Sequence, residues 1–435
     1  MTLAPPWWTA HVELIVELGI GHSNASGAPV GIWDQSHWAP SAANSGVWSG
    51  LEPAWEVLDN CDLLDLTITR GRERWLDRFG ASSAQMTILD PDGSLSWASE
   101  DGTDLPTRIA RPVRISARIV ASGAVLPLWR GWIEGLDDRF EPGTAPVVTL
   151  TAQDGLAQTS HVDLPEVPVV GAGERSDERV GRLLDLADWP KPWRVLDHGT
   201  ITVQGTNLAR PIADDLGITA DSEGGALYSD REDRMTFRNR DWLRTLPVAT
   251  TIQAIIGGPD HDYCASEYGA VRQGNDIVND VQFARAGGTM RRFVDTGSIS
   301  LYRRRAYQRS DFVCETDAQV DLLAQRLLSA RSRAQLRIPT IVLEPGDDPA
   351  FWQFVCEVDY GWRLLVQYDA ETVIASRPLA AGVGWSREVQ VQGIDYRISS
   401  SGWEVTLKVD DARDESADVW DGPRGWDRAT WGEVA

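Results

Sequence analysis

Long apolar runs are missing from this 435-residue chain. A membrane helix needs roughly 18 or more such residues, and the longest candidate, Val12 to Ile20, carries Glu13 and Glu17. No stable membrane association is therefore expected. Basic residues are absent before Arg70. A secretory signal needs a basic region ahead of its apolar stretch, so the chain is expected to be made and kept in a cytoplasm. Lysine is nearly absent: Lys191 and Lys408 are the only two among 41 basic residues, a bias that looks like high-GC codon usage. Positive charge is short overall, because 64 acidic residues leave a net charge of −23. Nucleic-acid binding needs a basic footprint, so no specific grip is expected. An acidic wall is, by the same electrostatics, one that DNA slides past without sticking.

Reactive constellations are also scarce. Cys61, Cys264, Cys314 and Cys356 are too far apart for a metal or redox motif; they read as buried free thiols of a reducing compartment. The histidines, His11, His22, His37, His161, His198 and His261, are scattered, which excludes the HExxH and HxH spacings. His261, between Asp260 and Asp262, reads as part of a solvated loop. No GxSxG elbow occurs. Gly171-Ala-Gly173 lacks the third glycine of a phosphate loop, and Gly257-Gly258 runs into proline instead of a helix start. The acidic pairs Asp137-Asp138, Asp214-Asp215, Asp347-Asp348 and Asp410-Asp411 carry little information among 64 carboxylates. No catalytic residue, cofactor or metal is expected, and the chain reads as non-enzymatic.

What the chain has is core-forming material, 42% hydrophobic against 24% charged, and length for two to four domains of roughly 100–200 residues each. It also has 20 Trp. Trp7, Trp8, Trp33, Trp38, Trp48 and Trp55 crowd the start, and Trp420, Trp426 and Trp431 the end. Residues 1–50 read as a Trp-rich arm in which only Val12 to Leu18 could form a strand; residues 412–435 read as a Trp-rich tail. Such aperiodic segments build no core of their own. Their indoles can dock on the same body, on a neighbouring subunit, or on sugar.

Between the arms, residues 51–160 read as a first small antiparallel β-barrel. Its strands are marked by Leu64, Leu66 and Ile68, then Gln85 to Leu89, then Val113, Ile115 and Ala117, then Leu128 to Ile133, and Val147 to Ala152. Residues 161–275 read as mixed α/β. One helix is N-capped at Ser176, a second spans Leu208 to Leu216 with Gly217 as its stop, and a hairpin turns at Ser229 to Asp233. Residues 276–411 read as a second barrel with one helix, opened by the capping box Thr316-Asp-Ala-Gln319. Its last two strands flank Ser399-Ser-Ser-Gly402. The fold class is mainly β with some α (α+β). Arg303, Arg304 and Arg305 form the one basic run, suited to ion pairs within or between subunits or to a phosphate.

Leu66-Thr-Ile-Thr-Arg-Gly-Arg72, Ala84-Gln-Met-Thr-Ile-Leu-Asp90-Pro-Asp-Gly93, Arg111-Pro-Val-Arg-Ile115 and Pro127-Leu-Trp-Arg-Gly-Trp-Ile-Glu134 together resemble the first domain of minor tail proteins of tailed phages. The class is the tail-tip hub that shares a fold with the baseplate hub of contractile phages. Gln204-Gly-Thr-Asn-Leu208 and Asp221-Ser-Glu-Gly-Gly225 match its middle domain, and Ser298-Ile-Ser-Leu-Tyr302 with Arg337-Ile-Pro-Thr340 its last. The resemblance spans roughly residues 60–410. It implies a homotrimer whose six barrels form a pseudo-six-fold ring around the DNA ejection channel, located at the virion tail tip. The implied partners are the distal tail protein and tail tube, the tape-measure protein and other tip proteins. Trp7, Trp8, Trp33, Trp38, Trp48, Trp420, Trp426, Trp431 and Arg303 to Arg305 are then the candidate intersubunit contacts. A distal tail ring and a carbohydrate-binding adhesin are the alternatives.

Overall fold

The computed structural model describes residues 6–19, 53, 55–58, 62–74, 77–91, 93, 95, 109–162, 167–208, 211–257, 261–271, 277–334, 337–368 and 385–412. Period-two stretches become strands. In chain order they are β1 (Val12–Gly19), β2 (Trp55–Val57), β3 (Asp62–Gly71), β4 (Ser83–Leu89), β5 (Pro112–Ile119), β6 (Val125–Arg139) and β7 (Val147–Gln153). They lie side by side as β2-β1-β5-β6-β7-β4-β3. Alternate residues face inward: Leu66 and Ile68, Met86 and Ile88, Val113 and Ile115, Val148 and Leu150 are all buried. All five strands read from residues 51–160 are present. β1 is added to them from the expected arm, in register with β5 from Val12↔Ile119 to Leu18↔Val113. Burial of Val12, Ile15 and Leu18 holds it there.

Next come α1 (Gly155–Ser160), β8 (Val167–Val170), β9 (Glu174–Arg175), α2 (Ser176–Leu186), β10 (Arg194–Leu196), β11 (Thr202–Val203), β12 (Thr206–Leu208), α3 (Ile212–Glu223), β13 (Ala226–Ser229), β14 (Met235–Arg238), α4 (Trp242–Thr245) and α5 (Pro247–Thr250). Val180, Leu183 and Leu184 of α2 meet Ile212 and Leu216 of α3 and Phe237 of β14 in one cluster. Two helix boundaries differ from expectation. Ser176 is not the N-cap of α2; Arg175 is, and the Glu178 carboxylate accepts its backbone N–H at 2.9 Å. Ser176 Oγ donates instead to the buried Glu223 at 2.7 Å. α3 starts after Pro211 and runs through Gly217 to Gly224, whose φ of 71° makes the left-handed stop.

The remainder is β15 (Ile252–Gly257), β16 (Tyr263–Cys264), β17 (Glu267–Tyr268), β18 (Asp280–Arg285), β19 (Arg291–Val294), α6 (Thr296–Tyr302), β20 (Ala306–Phe312), α7 (Asp317–Arg331), β21 (Thr340–Leu343), α8 (Pro349–Glu357), β22 (Arg363–Tyr368), β23 (Trp385–Ser399) and β24 (Trp403–Asp411). β23 pairs with β22, β24 and β3, so strands from both ends of the chain merge into one 14-stranded sheet. Gly71 faces Gly393 where β3 meets β23. At φ 93°, a Cβ on Gly71 would lie 2.4 Å from the Gln392 carbonyl oxygen, so only glycine fits.

The sheet expected within residues 276–411 is built differently. β15, β16 and β17, from residues expected in the mixed segment, join it, and β15 runs parallel to both β16 and β22. β18, β19 and β20 form a separate small sheet instead, with β18 parallel to β20. There Val281, Phe283 and Phe312 pack on Val320, Leu323 and Leu327 of α7. α7 carries the expected Thr316/Gln319 capping box. α8 was not read from the sequence, although Asp348-Pro349 opens it with a side-chain cap and Pro at its first position.

Candidate assembly surfaces and the junction between the β halves

Two tryptophans precede β1 in a 3-10 turn, Trp7–Ala10. Trp8 is 6% exposed. Its Nε1 donates to the Ser399 carbonyl at 2.8 Å, and its ring meets Trp403 edge-on at 5.4 Å. Trp403 meets Trp352 of α8 at 5.5 Å, and His11 stacks on Trp352 at 5.9 Å. The turn thus straps the N-terminal strand to the β23–β24 hairpin. Trp8, expected among the intersubunit contacts, packs within its own chain, which already desolvates its indole. Trp7 is 49% exposed, with Nε1 donating to Ser401 O at 3.3 Å. The expectations for Trp33, Trp38, Trp48, Trp420, Trp426 and Trp431 lie outside the described residues.

The β13–β14 hairpin carries the second device, Arg231 at its turn. Arg231 Nε donates to Asp359 Oδ2 at 3.1 Å. Its Nη1 reaches the carbonyls of Pro127 and Cys356 at 3.2 and 2.8 Å. Its Nη2 reaches those of Glu357 and Val358 at 3.1 and 2.7 Å. A guanidinium here meets the orphan carbonyls and the negative end of α8, and it ties that helix to β6. Asp359 also takes Arg70 Nη2 at 3.4 Å. Burial raises the Asp359 carboxyl, and the guanidiniums of Arg231 and Arg70 outweigh it, holding the group below the ordinary carboxylate range. Arg70 continues the inward positions of Leu66 and Ile68, so β-strand periodicity delivers a cation to the core face.

Beside this junction lie two buried carboxylates. Asp154 accepts Ser82 N at 2.8 Å and Ser82 Oγ at 2.6 Å, and caps α1. Asp233, at φ 60°, accepts Gly155 N at 2.6 Å, Ser229 Oγ at 2.7 Å and Trp132 Nε1 at 2.8 Å. Burial pushes Asp154 up to about 6. Burial, then the neighbouring Asp154 charge, pushes Asp233 up to about 7.

A cleft of about 380 Å³ opens between α3, the residues Arg72 and Asp77 to Phe79, and the β18–β20 sheet. Arg72 stacks over Phe79 at 4.4 Å and donates to Gln392 Oε1 at 2.9 Å. Arg78 and Arg309 both close on Asp221, at 2.6 and 2.8 Å. Arg78 and Arg309 are therefore spent on structural ion pairs, and Arg72 is held by a hydrogen bond and a ring contact.

The basic run follows α6. Arg303 and Arg305 are exposed, and Arg304 leans on the buried Asp280 at 3.3 Å. Among the described residues no group of three metal-ligating side chains converges, and no helix is long and apolar enough to cross a membrane. His261 is tied down, Nε2 to Gln367 Oε1 at 2.9 Å. Cys314 and Cys356 are buried free thiols, as read, whereas Cys264 is exposed on its two-residue strand. Cys61 lies outside the described residues.

No family model and no curated protein matches the sequence. Solved structures do match. The tail protein from Neisseria meningitidis MC58 aligns at TM-score 0.57 and 12% identity, over 93% of this chain and 97% of its own. The 43 kDa tail protein of prophage MuSo2 from Shewanella oneidensis aligns at 0.54 and 11%, over 92% and 98%. The chain shares the fold of these tail proteins, mainly β with some α and one large, mostly antiparallel sheet.

Proposed function

We propose that this chain is a structural, non-catalytic phage tail protein that assembles as a homotrimer into the hub of the tail tip. The observation that carries the reading is likeness along nearly the whole length of two tail proteins, 93% and 92% of this chain. A sheet whose N- and C-terminal strand sets join edge to edge at β3 and β23 supports it. Two such β sets per chain give six in a trimer, a match between a six-fold tube and a three-fold tip. The net charge of −23 suits a ring through which the tape-measure protein and then DNA must slide. The partners are other copies of the chain, the distal tail protein and tube, the tape measure and further tip proteins. The site of action is the virion tail tip, after synthesis in the host cytoplasm.

Electron-microscopy class averages of the purified protein test this. A three-fold ring with six peripheral lobes and a central hole is expected. A six-fold ring of single lobes overturns it in favour of a distal tail ring. A compact monomer that binds glycans overturns it in favour of an adhesin.

A further inference from the structure

Two exposed loops of opposite charge each present a large apolar side chain. The first is the last turn of α6, which carries Leu301, with the residues 303–305 that follow it. Leu301 is 74% exposed, the most exposed large hydrophobic residue among those described. Arg303 and Arg305 beside it are exposed and have no acidic partner among the described residues. The loop is built stiff. The Asn279 side chain donates to Arg303 O at 2.8 Å and to Ser298 Oγ at 3.1 Å, and accepts Arg305 N at 2.7 Å. Ser298 Oγ in turn donates to Ser332 O. Arg303 sits at φ 63° and ψ 171°, a conformation suited to glycine. A chain with 39 glycines places an arginine there.

The second loop joins β6 to β7. Phe140 is 56% exposed, the most exposed aromatic ring among the described residues. Arg139 and Glu141 flank it and pair at 2.7 Å, and Asp137, near the end of β6, is exposed with no basic partner among the described residues.

We propose that these loops are the two halves of one contact between copies of this chain. The Leu301–Arg303–Arg305 knob of one copy receives the Asp137–Phe140–Glu141 tip of the next. Each side offers an apolar centre with a charged rim, the ordinary anatomy of a protein interface. The exposed leucine, with the net charge of −23, favours a protein partner over nucleic acid. Because two different patches meet, the contact is head-to-tail, the kind that closes a ring. The inference rests on the hub reading and deepens it by naming a subunit contact.

Charge reversal tests it. Self-association of the full chain is measured by sedimentation for wild type, R303E/R305E, D137R/E141R and the chain carrying all four changes. All four substituted residues are exposed, and unchanged circular dichroism and thermal unfolding verify the folds. Each double variant is expected to weaken association at least tenfold, and the four-fold variant to recover most of it. Raised salt is expected to weaken the wild-type contact. An oligomeric wild type whose double variants associate equally well overturns the contact and leaves the hub reading standing. A wild type that stays monomeric at every concentration overturns both.

Discussion

Trp8→Ala is the sharpest test of the strap. The substitution removes an indole that is 6% exposed and packed edge-on against Trp403, along with the 2.8 Å hydrogen bond to Ser399 O. Truncating a buried tryptophan typically costs about 3–5 kcal/mol. The hydrogen bond accounts for about 1 kcal/mol of that and the ring pair for another ~0.5–1.5 kcal/mol. At about 2.1 cal/mol/K of unfolding entropy per residue, cooperative unfolding of the whole chain converts about 4 kcal/mol into roughly 4 °C of Tm. Trp7→Ala removes a ring that is half in water, and about 1 °C is expected. Trp8→Phe keeps most of the packing and isolates the hydrogen bond. Differential scanning calorimetry at two protein concentrations reads all three. If Trp8→Ala proves as mild as Trp7→Ala, or its effect tracks protein concentration, Trp8 does not strap its own subunit.

Arg231→Ala should be costlier than its place in a hairpin turn suggests. It strands four carbonyls and half of Asp359's pairing, a loss of about 3–5 kcal/mol; urea unfolding with an unchanged midpoint would refute the junction. The pH dependence follows from Asp154 and Asp233. Their carboxyls sit at about 6 and about 7, above the ordinary 3.8, so the folded state binds their protons more tightly than the unfolded chain does. Their contribution is full below about pH 4 and is lost as pH rises through 6 and 7. Tm should climb from pH 8 to pH 5, and Asp233→Asn should flatten that climb. A thiol reagent should label Cys264 quickly and spare Cys314 and Cys356, whose thiols burial pushes up to about 12. Equal labelling rates of Cys264 and the buried pair in the native protein would contradict the packing.

Much of the fold was legible because local signals and the tertiary answer agree. The alternation through Leu66 and Ile68 and the Thr316–Gln319 box each specify an element by nearest-neighbour physics. The misread boundaries share a cause. Ser176 is a good N-cap in isolation, but the buried Glu223 carboxylate claims its hydroxyl from 47 positions away. Gly217 is a plausible stop, yet α3 continues because its flanks, Leu216 and Ile218, are both buried. Of the candidate contacts, Trp7 and Trp8 are alike in sequence and opposite in burial, which only the packing of Trp352 and Trp403 decides.

Composition and local pattern set out an acidic, mainly β molecule, with the five strands of residues 51–160 and the α7 cap in their places. These properties reside in composition, period and short-range capping, which a linear reading reaches. How the strands combine came from packing over the whole fold. It took residues 252–268 into the large sheet, set 280–312 apart from it, and ran β23 against β3 across more than three hundred residues of chain. It also placed Arg231, drawn from a polar turn, under the carbonyl end of α8. Strand pairing and buried ion pairs are set by which surfaces meet after collapse, and alternation along one strand says which face is apolar without naming its neighbour.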